Sequence, residues 1–355
     1  MKRAVVTGAT GQDARLLIPE LLRRGYEVHA ITRDARSADQ LYGDAVVAHE
    51  ADLVAGAERW AETVADLLPE VVFNLTGLTS VSESFADPAM SWRLNAEWPA
   101  ALLEAIRVRA PETRLYQASS SEMFGCLPGE SVVHDEDSPF RPQSPYAASK
   151  AAAHLLCGVY RRSFGIRVAC GILFNHESRY RGPAFLTTKV ARHVAGLRAL
   201  DARSARSHPP LRVGRLDVER DWGWAEEYVD GILLVADQIQ VRSRRSGQAI
   251  EDSGSHYHDY VLGTGSVMSV RDLIDRALTL GGFPLTWSVD EEGRGSARFA
   301  DGNGIAVESV PEFWRAAEPR AIQADPSRAE RELGWRARSS VDVFLREMIG
   351  SGEGR

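Results

Sequence analysis

Short runs of apolar residues alternate with helical stretches through the first half of the chain. The apolar runs are rich in Val, Ile and Leu and predict strands at 4–7, 28–32, 45–48, 71–75, 115–118 and 167–173. Between them, apolar residues at helical spacing predict helices at 16–24, 56–68, 96–109 and 145–164. Buried strands separated by helices are typical of a parallel sheet. The pattern predicts an α/β fold with a doubly wound parallel sheet of the Rossmann type.

The periodicity loosens after about residue 174. Helices are predicted at 184–198, 224–239, 269–280 and 340–350, loops are predicted at 201–210 and 241–256, and the stretch 291–310 is rich in glycine. We expect residues 1–174 to form a dinucleotide-binding domain. Residues 175–355 are expected to form a smaller, irregular substrate lobe, partly interleaved with the first domain.

The composition is that of an ordinary globular protein. Of 355 residues, 44% are hydrophobic and 26% are charged, and the net charge of −7 argues against a general nucleic-acid binder. No run approaches the ~20 apolar residues that span a bilayer, and the start of the chain is strand-like rather than a signal peptide. Cys126, Cys157 and Cys170 show no paired spacing, so neither a disulfide framework nor a metal site is expected, and the cytoplasm is the default location.

A glycine turn joins the first predicted strand to the first predicted helix. Gly8 and Gly11 are followed by Ala14, in the spacing G-x-x-G-x-x-A rather than G-x-G-x-x-G. Glycines at this position let the backbone approach a pyrophosphate, and the helix N-terminus offers free N–H groups. The turn therefore predicts nucleotide binding.

The end of the second predicted strand bears on the choice between NAD and NADP. Arg33 follows the strand directly, where an acidic residue would hold the ribose hydroxyls of NAD and an arginine accommodates the 2′-phosphate of NADP. Asp34 is a signal in the opposite direction, and Arg33 is also compatible with a solvated surface charge. NADP is the preferred prediction and NAD remains possible.

Tyr146 and Lys150 form a Tyr-x-x-x-Lys pair on a predicted helix. Residues four apart share one helix face, so the ammonium of Lys150 can lower the pKa of the phenol and let it act as a base. Lys150 is one of only three lysines among 42 basic residues. Upstream, the segment 117–122 places several hydroxyls and a carboxylate at the end of a strand, where doubly wound sheets bind ligands.

With these motifs together, the sequence resembles the extended short-chain dehydrogenase/reductase family, and within it the GDP-mannose 4,6-dehydratases. The resemblance covers nearly the whole chain. It is carried by the segments TGATGQD, YQASSSEMFG, SPYAASK, GILFNHES, RDWG and FWRAAE. It implies a lyase that converts GDP-mannose to GDP-4-keto-6-deoxymannose by hydride transfer to and from a bound nicotinamide cofactor.

The resemblance also implies roles for individual residues. Tyr146 would take the proton of the sugar O4, and Lys150 would lower the pKa of Tyr146 and bind the nicotinamide ribose. Ser120, at a position usually occupied by threonine, would hydrogen-bond O4. Glu122 would remove the C5 proton and protonate the leaving C6 hydroxyl.

Binding residues are implied on both ligands. Besides Tyr146 and Lys150, those expected to bind the cofactor are Gly8, Thr10, Gly11, Gln12, Asp13, Arg33, Asp52, Leu53, Leu75, Thr76, His176 and Arg181. Those expected to bind the GDP-sugar are Asn175, Lys189, Arg220, Arg315 and Glu318.

Three features depart from the family pattern. After the fourth strand the family reads NLGAQSHV, whereas residues 74–81 read NLTGLTSV, which changes the wall near nicotinamide and sugar. The loop after the second strand is short, so a homodimer is expected rather than the usual tetramer. The stretch 241–255 is additional, and the sequence HYHD at 256–259 is not expected to bind a metal.

Two other functions stay open from the sequence. One is a GDP-sugar enzyme of altered outcome, an epimerase or a pyranose/furanose mutase, suggested by Leu78 and Ser80. The other is a dinucleotide-sensing regulator, against which the retention of Tyr146, Lys150 and Glu122 argues.

Overall fold

The computed structural model describes residues 2–125, 131–245, 259–314 and 320–351. Its strands are β1 (Lys2–Thr7), β2 (Tyr26–Thr32), β3 (Val46–Glu50), β4 (Val71–Asn74), β5 (Arg114–Ser120), β6 (Ser131–His134), β7 (Val168–Leu173), β8 (Asn175–Glu177), β9 (Leu211–Val213), β10 (Glu219–Trp224), β11 (Tyr260–Leu262), β12 (Val267–Ser269), β13 (Leu285–Val289), β14 (Gly295–Phe299), β15 (Ile305–Ser309) and β16 (Ala321–Ala324). Its helices are α1 (Gln12–Arg23), α2 (Ala35–Tyr42), α3 (Ala57–Asp66), α4 (Val81–Ala86), α5 (Pro88–Trp92), α6 (Trp98–Arg109), α7 (Pro145–Phe164), α8 (Leu186–Arg198), α9 (Ala202–Arg206), α10 (Ala225–Arg245), α11 (Val270–Gly281), α12 (Ser327–Leu333) and α13 (Val341–Ser351).

The largest sheet has seven parallel strands in the order β3-β2-β1-β4-β5-β7-β11. Its strand order reverses direction between β1 and β4, which in open α/β sheets is the point where ligands bind. The predicted doubly wound α/β fold is confirmed. The seventh strand, β11, comes from the second half of the chain.

Apolar cores cover both faces of this sheet because successive side chains of a strand point to opposite faces. Val6 packs into the core beneath α1 and α10, whereas its neighbour Val5 packs into the core beneath α3, α6 and α7. Helix α1 is continuous through Pro19.

A chain of buried polar side chains crosses the sheet at the strand ends. The Thr7 hydroxyl donates to Asn74 Oδ1 over 2.7 Å, and Asn74 Nδ2 donates to Gln117 Oε1 over 2.7 Å. The indole of Trp98 also donates to Asn74 Oδ1, over 2.9 Å. These bonds join β1, β4 and β5 side by side at the edge where the strand order reverses.

The second half of the chain contributes two smaller sheets and a separate core. One sheet has the order β12-β10-β16-β6, with β8 paired to β10, and the other has the order β13-β14-β15-β9. Strand β6 belongs to the first half of the chain but pairs with β16. Helices α8, α11 and α13 pack together around the separate core.

The two loop predictions were wrong in part, and the glycine-rich stretch forms strands. The stretch 201–210 contains the short helix α9, whose first turn is capped by Asp201. Helix α10 continues to Arg245, into the stretch predicted as a loop from 241. The glycine-rich stretch 291–310 carries β14 and β15, where Gly302 and Gly304 adopt positive φ between the two strands. Among the described residues, no helix is both long and apolar enough to cross a membrane.

Candidate active site

Two connected cavities lie at the carboxyl ends of the central strands. One, of about 400 Å³, is lined by the glycine turn and by the ends of β2 and β4. The other, of about 260 Å³, is lined by the ends of β5 and β7, the start of α7, and residues of β8 and β10. Asp13, Leu75 and Arg181 line both cavities. The predicted cofactor and sugar sites are therefore neighbouring parts of one cleft.

The glycine turn closely approaches the end of β4. Gly8 has a φ of +68°, and a Cβ at this position would lie 3.0 Å from the backbone nitrogen of Thr76. Gly11 is the N-cap of α1 and provides no side chain that would occupy the free N–H groups of the first turn. Such a turn accommodates a pyrophosphate, so the residues fit a dinucleotide.

The first turn of α1 is tied to β8 and the residues after it. Gln12 Nε2 donates to the carbonyl of His176 over 3.0 Å, and the Ser178 hydroxyl donates to Gln12 Oε1 over 3.0 Å. His176 Nε2 lies 3.0 Å from Asp13 Oδ1. We call Gln12, Asp13, His176 and Ser178 the lobe junction, because they join the glycine turn to the second half of the chain.

Both ring nitrogens of His176 face acceptor oxygens, an arrangement that favours its doubly protonated form. Its Nδ1 lies 2.6 Å from the carbonyl of Phe174, and both neighbouring oxygens are acceptors. Burial alone would lower the pKa of His176, but the Asp13 carboxylate outweighs this and raises it. In turn, burial would raise the pKa of Asp13, and His176 lowers it overall. The two residues form a buried ion pair.

The two charged residues after β2, Arg33 and Asp34, differ in their contacts. Asp34 is the N-cap of α2: its carboxylate accepts from the Arg36 N–H over 3.0 Å and from the Ser37 hydroxyl over 2.6 Å. Arg33 is exposed at the rim of the cofactor cavity. Asp52 accepts from the N–H groups of two following residues, which lowers its pKa.

Four side chains line the sugar side of the cleft, and we call them the catalytic wall. They are Ser120 and Glu122, at the end of β5, and Tyr146 and Lys150, in the first two turns of α7. Ser144 caps the start of α7 by accepting from the Ala147 N–H over 3.1 Å. The helix therefore begins just before Tyr146, which places the phenol at its N-terminal end beside the strand end.

Burial governs both titratable partners in the Tyr-x-x-x-Lys pair. Burial raises the pKa of Tyr146 to about 12, although a hydrogen bond with Ser120 lowers it. Burial lowers the pKa of Lys150 to about 8, and its ammonium donates to the carbonyl of Ala118 over 3.0 Å. The protein groups alone thus raise the pKa of Tyr146 above its usual value, contrary to the lowering expected from the spacing.

The structure brings most of the predicted site residues to the cleft. Those that line the cofactor cavity are Gly8, Thr10, Gly11, Gln12, Asp13, Arg33, Asp52, Leu53, Leu75, Thr76 and Arg181. Those that line the sugar cavity, besides the catalytic wall, are Asn175, His176 and Arg220.

One predicted substrate residue, Lys189, is not among the described residues that line the sugar cavity, and two others are not described. Lys189 is exposed on α8, with its ammonium 5.7 Å from the centre of the Phe313 ring. Arg315 and Glu318 lie outside the described residues, so the predicted guanine contact stays a prediction.

Asn95 is a functional candidate that the sequence reasoning missed. It lies in a π-helical turn, Arg93–Glu97, between α5 and α6. Its side chain bonds both the N–H and the carbonyl of Leu78 over 3.1 Å. A Cβ on Gly77 would lie 2.6 Å from Asn95 Oδ1 and 3.3 Å from Lys150 Nζ. Gly77 lies in the segment that departs from the family pattern, and its lack of a side chain makes room for these two polar side chains. This role could be recognised only after the structure had placed Asn95 beside it.

The segment predicted not to bind a metal ends at a buried polar cluster. Its last residue, Asp259, lies with His154 and Cys170 in a group whose possible ligand atoms are within 4.8 Å of one another. The guanidinium of Arg161 donates to both oxygens of Asp259, over 2.5 and 3.2 Å. Residues 256–258 lie outside the described residues.

Comparison with known proteins yields one consistent family. A family model described as GDP-mannose 4,6 dehydratase matches residues 5–348. A GDP-mannose 4,6-dehydratase of Vibrio cholerae is 33% identical over 98% of this chain and 93% of its own length. Another from Sinorhizobium fredii is 33% identical over 98% of this chain and 95% of its own.

Solved structures share the fold at lower sequence identity. The structure of RMD from Pseudomonas aeruginosa complexed with NADPH has a TM-score of 0.72 at 21% identity, covering all of both chains. UDP-glucose 4-epimerase from Brucella ovis in complex with NAD has a TM-score of 0.74 at 20% identity, covering 99% of both chains.

Proposed function

Because the chain belongs to the GDP-mannose 4,6-dehydratase family, we propose that the catalytic wall carries out the dehydration of GDP-mannose with NADP in the neighbouring cavity. The reaction converts GDP-mannose to GDP-4-keto-6-deoxymannose with loss of water. A nicotinamide cofactor, held by the glycine turn and Lys150, would supply the transfer of hydride from C4 of the mannose to C6. The observation that carries the proposal is the convergence of Tyr146, Lys150, Ser120 and Glu122 on one cavity that adjoins the glycine turn.

Three groups of the catalytic wall act directly on the sugar. Tyr146 removes the O4 proton while the Ser120 hydroxyl hydrogen-bonds the same oxygen. The ketone formed at C4 acidifies the C5 proton, so Glu122 can remove it and deliver a proton to the departing C6 hydroxyl. The proton that Tyr146 has taken balances the proton that C5 regains, and the net loss is one water.

The pKa values of the wall explain why the oxidised cofactor matters to Tyr146. Burial holds the pKa of its phenol at about 12, and the ammonium of Lys150 is only partly charged above pH 8. A cationic nicotinamide ring in the adjoining cavity would add positive charge and lower the pKa of the phenol. Tyr146 would then be activated only when a cofactor able to accept hydride is present.

NADP is the proposed cofactor because the group at the end of β2 is cationic. Arg33 lies at the cavity rim, while the carboxylate of the neighbouring Asp34 is engaged in capping α2. An arginine there suits a 2′-phosphate. Arg33→Ala should raise the Kd for NADP about tenfold, the value of one charge-assisted contact, and leave the Kd for NAD nearly unchanged.

We further propose a homodimer in the cytoplasm. Helices α4, α5 and α7 pack on one another and carry apolar side chains that are about half exposed: Phe85, Trp92, Leu155 and Val159. A second copy of this chain would bury them. The measured mass in solution, for the native chain and for Leu155→Glu, tests this interface.

The function is tested by incubating the purified protein with GDP-mannose and NADP and determining the product mass. We expect a loss of 18 mass units, one water, and a 4-keto product. A product of unchanged mass would instead support an epimerase or mutase, which the Thr79 and Ser80 hydroxyls lining the sugar cavity would accommodate. No product with a panel of GDP- and UDP-sugars, despite bound cofactor, would support a dinucleotide sensor.

A further inference from the structure

Three consecutive residues at the end of β5 each contact one of three residues spaced four apart on α7. The Ala118 carbonyl accepts from Lys150 Nζ over 3.0 Å, and the Ser120 hydroxyl hydrogen-bonds the phenol of Tyr146. Between them, Ser119 Oγ lies 2.9 Å from Nδ1 of His154. The first two contacts belong to the catalytic wall. The third belongs to no step of the reaction.

His154 continues the face of α7 that carries Tyr146 and Lys150, one turn beyond Lys150. Its ring is buried, and the ring of Phe140 meets it edge-on with centres 5.0 Å apart. Its Nε2 lies 3.8 Å from Asp259 Oδ2. The imidazole therefore bridges the end of β5 and Asp259. Asp259 precedes β11, which pairs with the other edge of β7.

Asp259 is fixed in place by contacts of its own. Its carboxylate accepts from the backbone N–H of Cys170 over 2.7 Å and from both terminal nitrogens of Arg161. Arg161 lies on α7 and also donates through Nε to the carbonyl of Val168 over 2.8 Å. Asp259 thus ties β7 and α7 together behind His154.

The groups around His154 raise its pKa. Burial alone would lower its pKa, but the neighbouring Cys170 sulfur and the Asp259 carboxylate reverse this, so the pKa is raised. The other charged group in the cluster, Arg161, opposes that rise but is paired with Asp259. An imidazolium can donate to Ser119 Oγ and to Asp259 at the same time, which holds the ring in one orientation.

We propose that His154, backed by Asp259, is a positioning residue that sets the distance between the Ser120 hydroxyl and the Tyr146 phenol by anchoring Ser119 to α7. Ser119 and Ser120 are adjacent on the strand, so a shift of one moves the other. Proton transfer from the sugar O4 needs both hydroxyls within hydrogen-bond reach of the same atom. A misplacement of about 1 Å in such an arrangement costs up to about 100-fold in rate.

The proposal rests on the dehydratase activity, so the native enzyme loaded with NADP must first convert GDP-mannose. Against that reference, His154→Gln should lower kcat about 10- to 100-fold while KM for GDP-mannose stays within about twofold, because no group that holds the substrate is removed. Rates are expressed per bound cofactor, so molecules that fail to fold do not count.

The kinetic isotope effect with C4-deuterated GDP-mannose separates positioning from a merely structural role. We expect it to rise in His154→Gln, because misaligned hydroxyls slow the step in which the C4 hydride leaves. Ser119→Ala removes only the hydroxyl and should shift kcat and the isotope effect in the same directions by less. It decides the matter if His154→Gln does not fold.

The matched control is His29→Gln, which removes another buried histidine from a hydrogen-bonded pair: His29 Nδ1 lies 2.9 Å from His49 Nε2, away from the cleft. It should lower Tm without changing kcat or the isotope effect. An unchanged kcat per cofactor in His154→Gln, or in Ser119→Ala if His154→Gln does not fold, would overturn the proposal. So would a stoichiometric metal in the native protein that a chelator removes together with the activity.

Discussion

The catalytic wall and the lobe junction both border the cleft, and they are held in different ways. The wall is formed by the end of β5 and by α7. Strand β5 belongs to the largest sheet, α7 packs against it, and consecutive residues of β5 contact α7. The junction joins α1 to β8 and the residue after it, through a buried ion pair and two hydrogen bonds of Gln12. One arrangement fixes groups for chemistry, and the other ties two halves of the chain around a ligand.

This difference suits a reaction in which the cofactor ends each turnover as it began. Such a cofactor gains nothing by leaving, so contacts that close the cleft over it are useful. Changes in the wall should therefore affect kcat, whereas changes in the junction should affect how long the cofactor stays bound.

The largest effect is expected in the wall. Tyr146→Phe removes the group that accepts the O4 proton and should lower kcat about 10³-fold, within the range of general acid–base catalysis. The Kd for NADP should change little, since Lys150 and the glycine turn remain. Steady-state kinetics measure kcat, and cofactor titration measures the Kd for NADP. A loss of cofactor affinity equal to the loss of rate would contradict the division of roles between the wall and the junction.

Gln12→Ala tests the junction. It removes both hydrogen bonds to the second half of the chain without changing any charge, at about 1 kcal/mol each, so the cofactor should dissociate about 30-fold faster. At saturating NADP, kcat should stay within about threefold. Ser178→Ala removes one of the two bonds and should give about fivefold faster release. Stopped-flow displacement of bound NADP measures the rates, and a kcat that falls without faster release would assign Gln12 to the wall.

The ion pair of the junction predicts a pH dependence of cofactor release. The folded-state pKa of His176 is raised. Its contribution to the stability of the junction is therefore complete below about pH 6.5 and is lost as the pH rises through that raised pKa. The folded-state pKa of Asp13 is lowered, so its contribution is lost only as the pH falls below its usual range. Release should accelerate several-fold on the alkaline side, and His176→Gln should make it flat there. Dissociation rates between pH 6 and 9 provide the measurement. An equally steep pH profile in His176→Gln would contradict the prediction.

The smallest effect concerns stability of the wall. Burial lowers the pKa of Lys150 to about 8, so its protonated form destabilises the fold at neutral pH. Lys150→Met removes this cost but leaves the Ala118 carbonyl without its donor, for a net gain of about 2 kcal/mol and a Tm higher by several degrees. Thermal unfolding at pH 7 checks the sign. A lower Tm would show that the hydrogen bond to Ala118 outweighs the burial of the charge.

Much of the fold was predictable because its signals are local. Strands buried on both faces produce continuous apolar runs, and the glycine turn sits between a strand and a helix where the backbone must approach β4. The place of the short strand β11 (Tyr260–Leu262) in the sheet was not predicted. Its place in the sheet depends on pairing with β7, which sequence periodicity does not contain.

The candidate site was predictable where one element carries several of its residues. Tyr146 and Lys150 share a helix face, so their proximity follows from spacing. His154 shares that face too, but its importance depends on Ser119 and Asp259, which are distant in sequence. Burial raises the pKa of Tyr146 in the absence of a ligand, and residue spacing contains no information on burial.

The position of β11 also constrains the order in which the protein can be completed during synthesis. A growing chain that has released only its first 174 residues would hold β7 with one edge unpaired, and without α10 to cover one face of the sheet. The ribosome must add nearly ninety further residues, past Leu262, before that edge is closed. We therefore expect that the first half of the chain does not finish folding by itself, and that its exposed edge is open to chaperones or to pairing with another chain until the second half arrives.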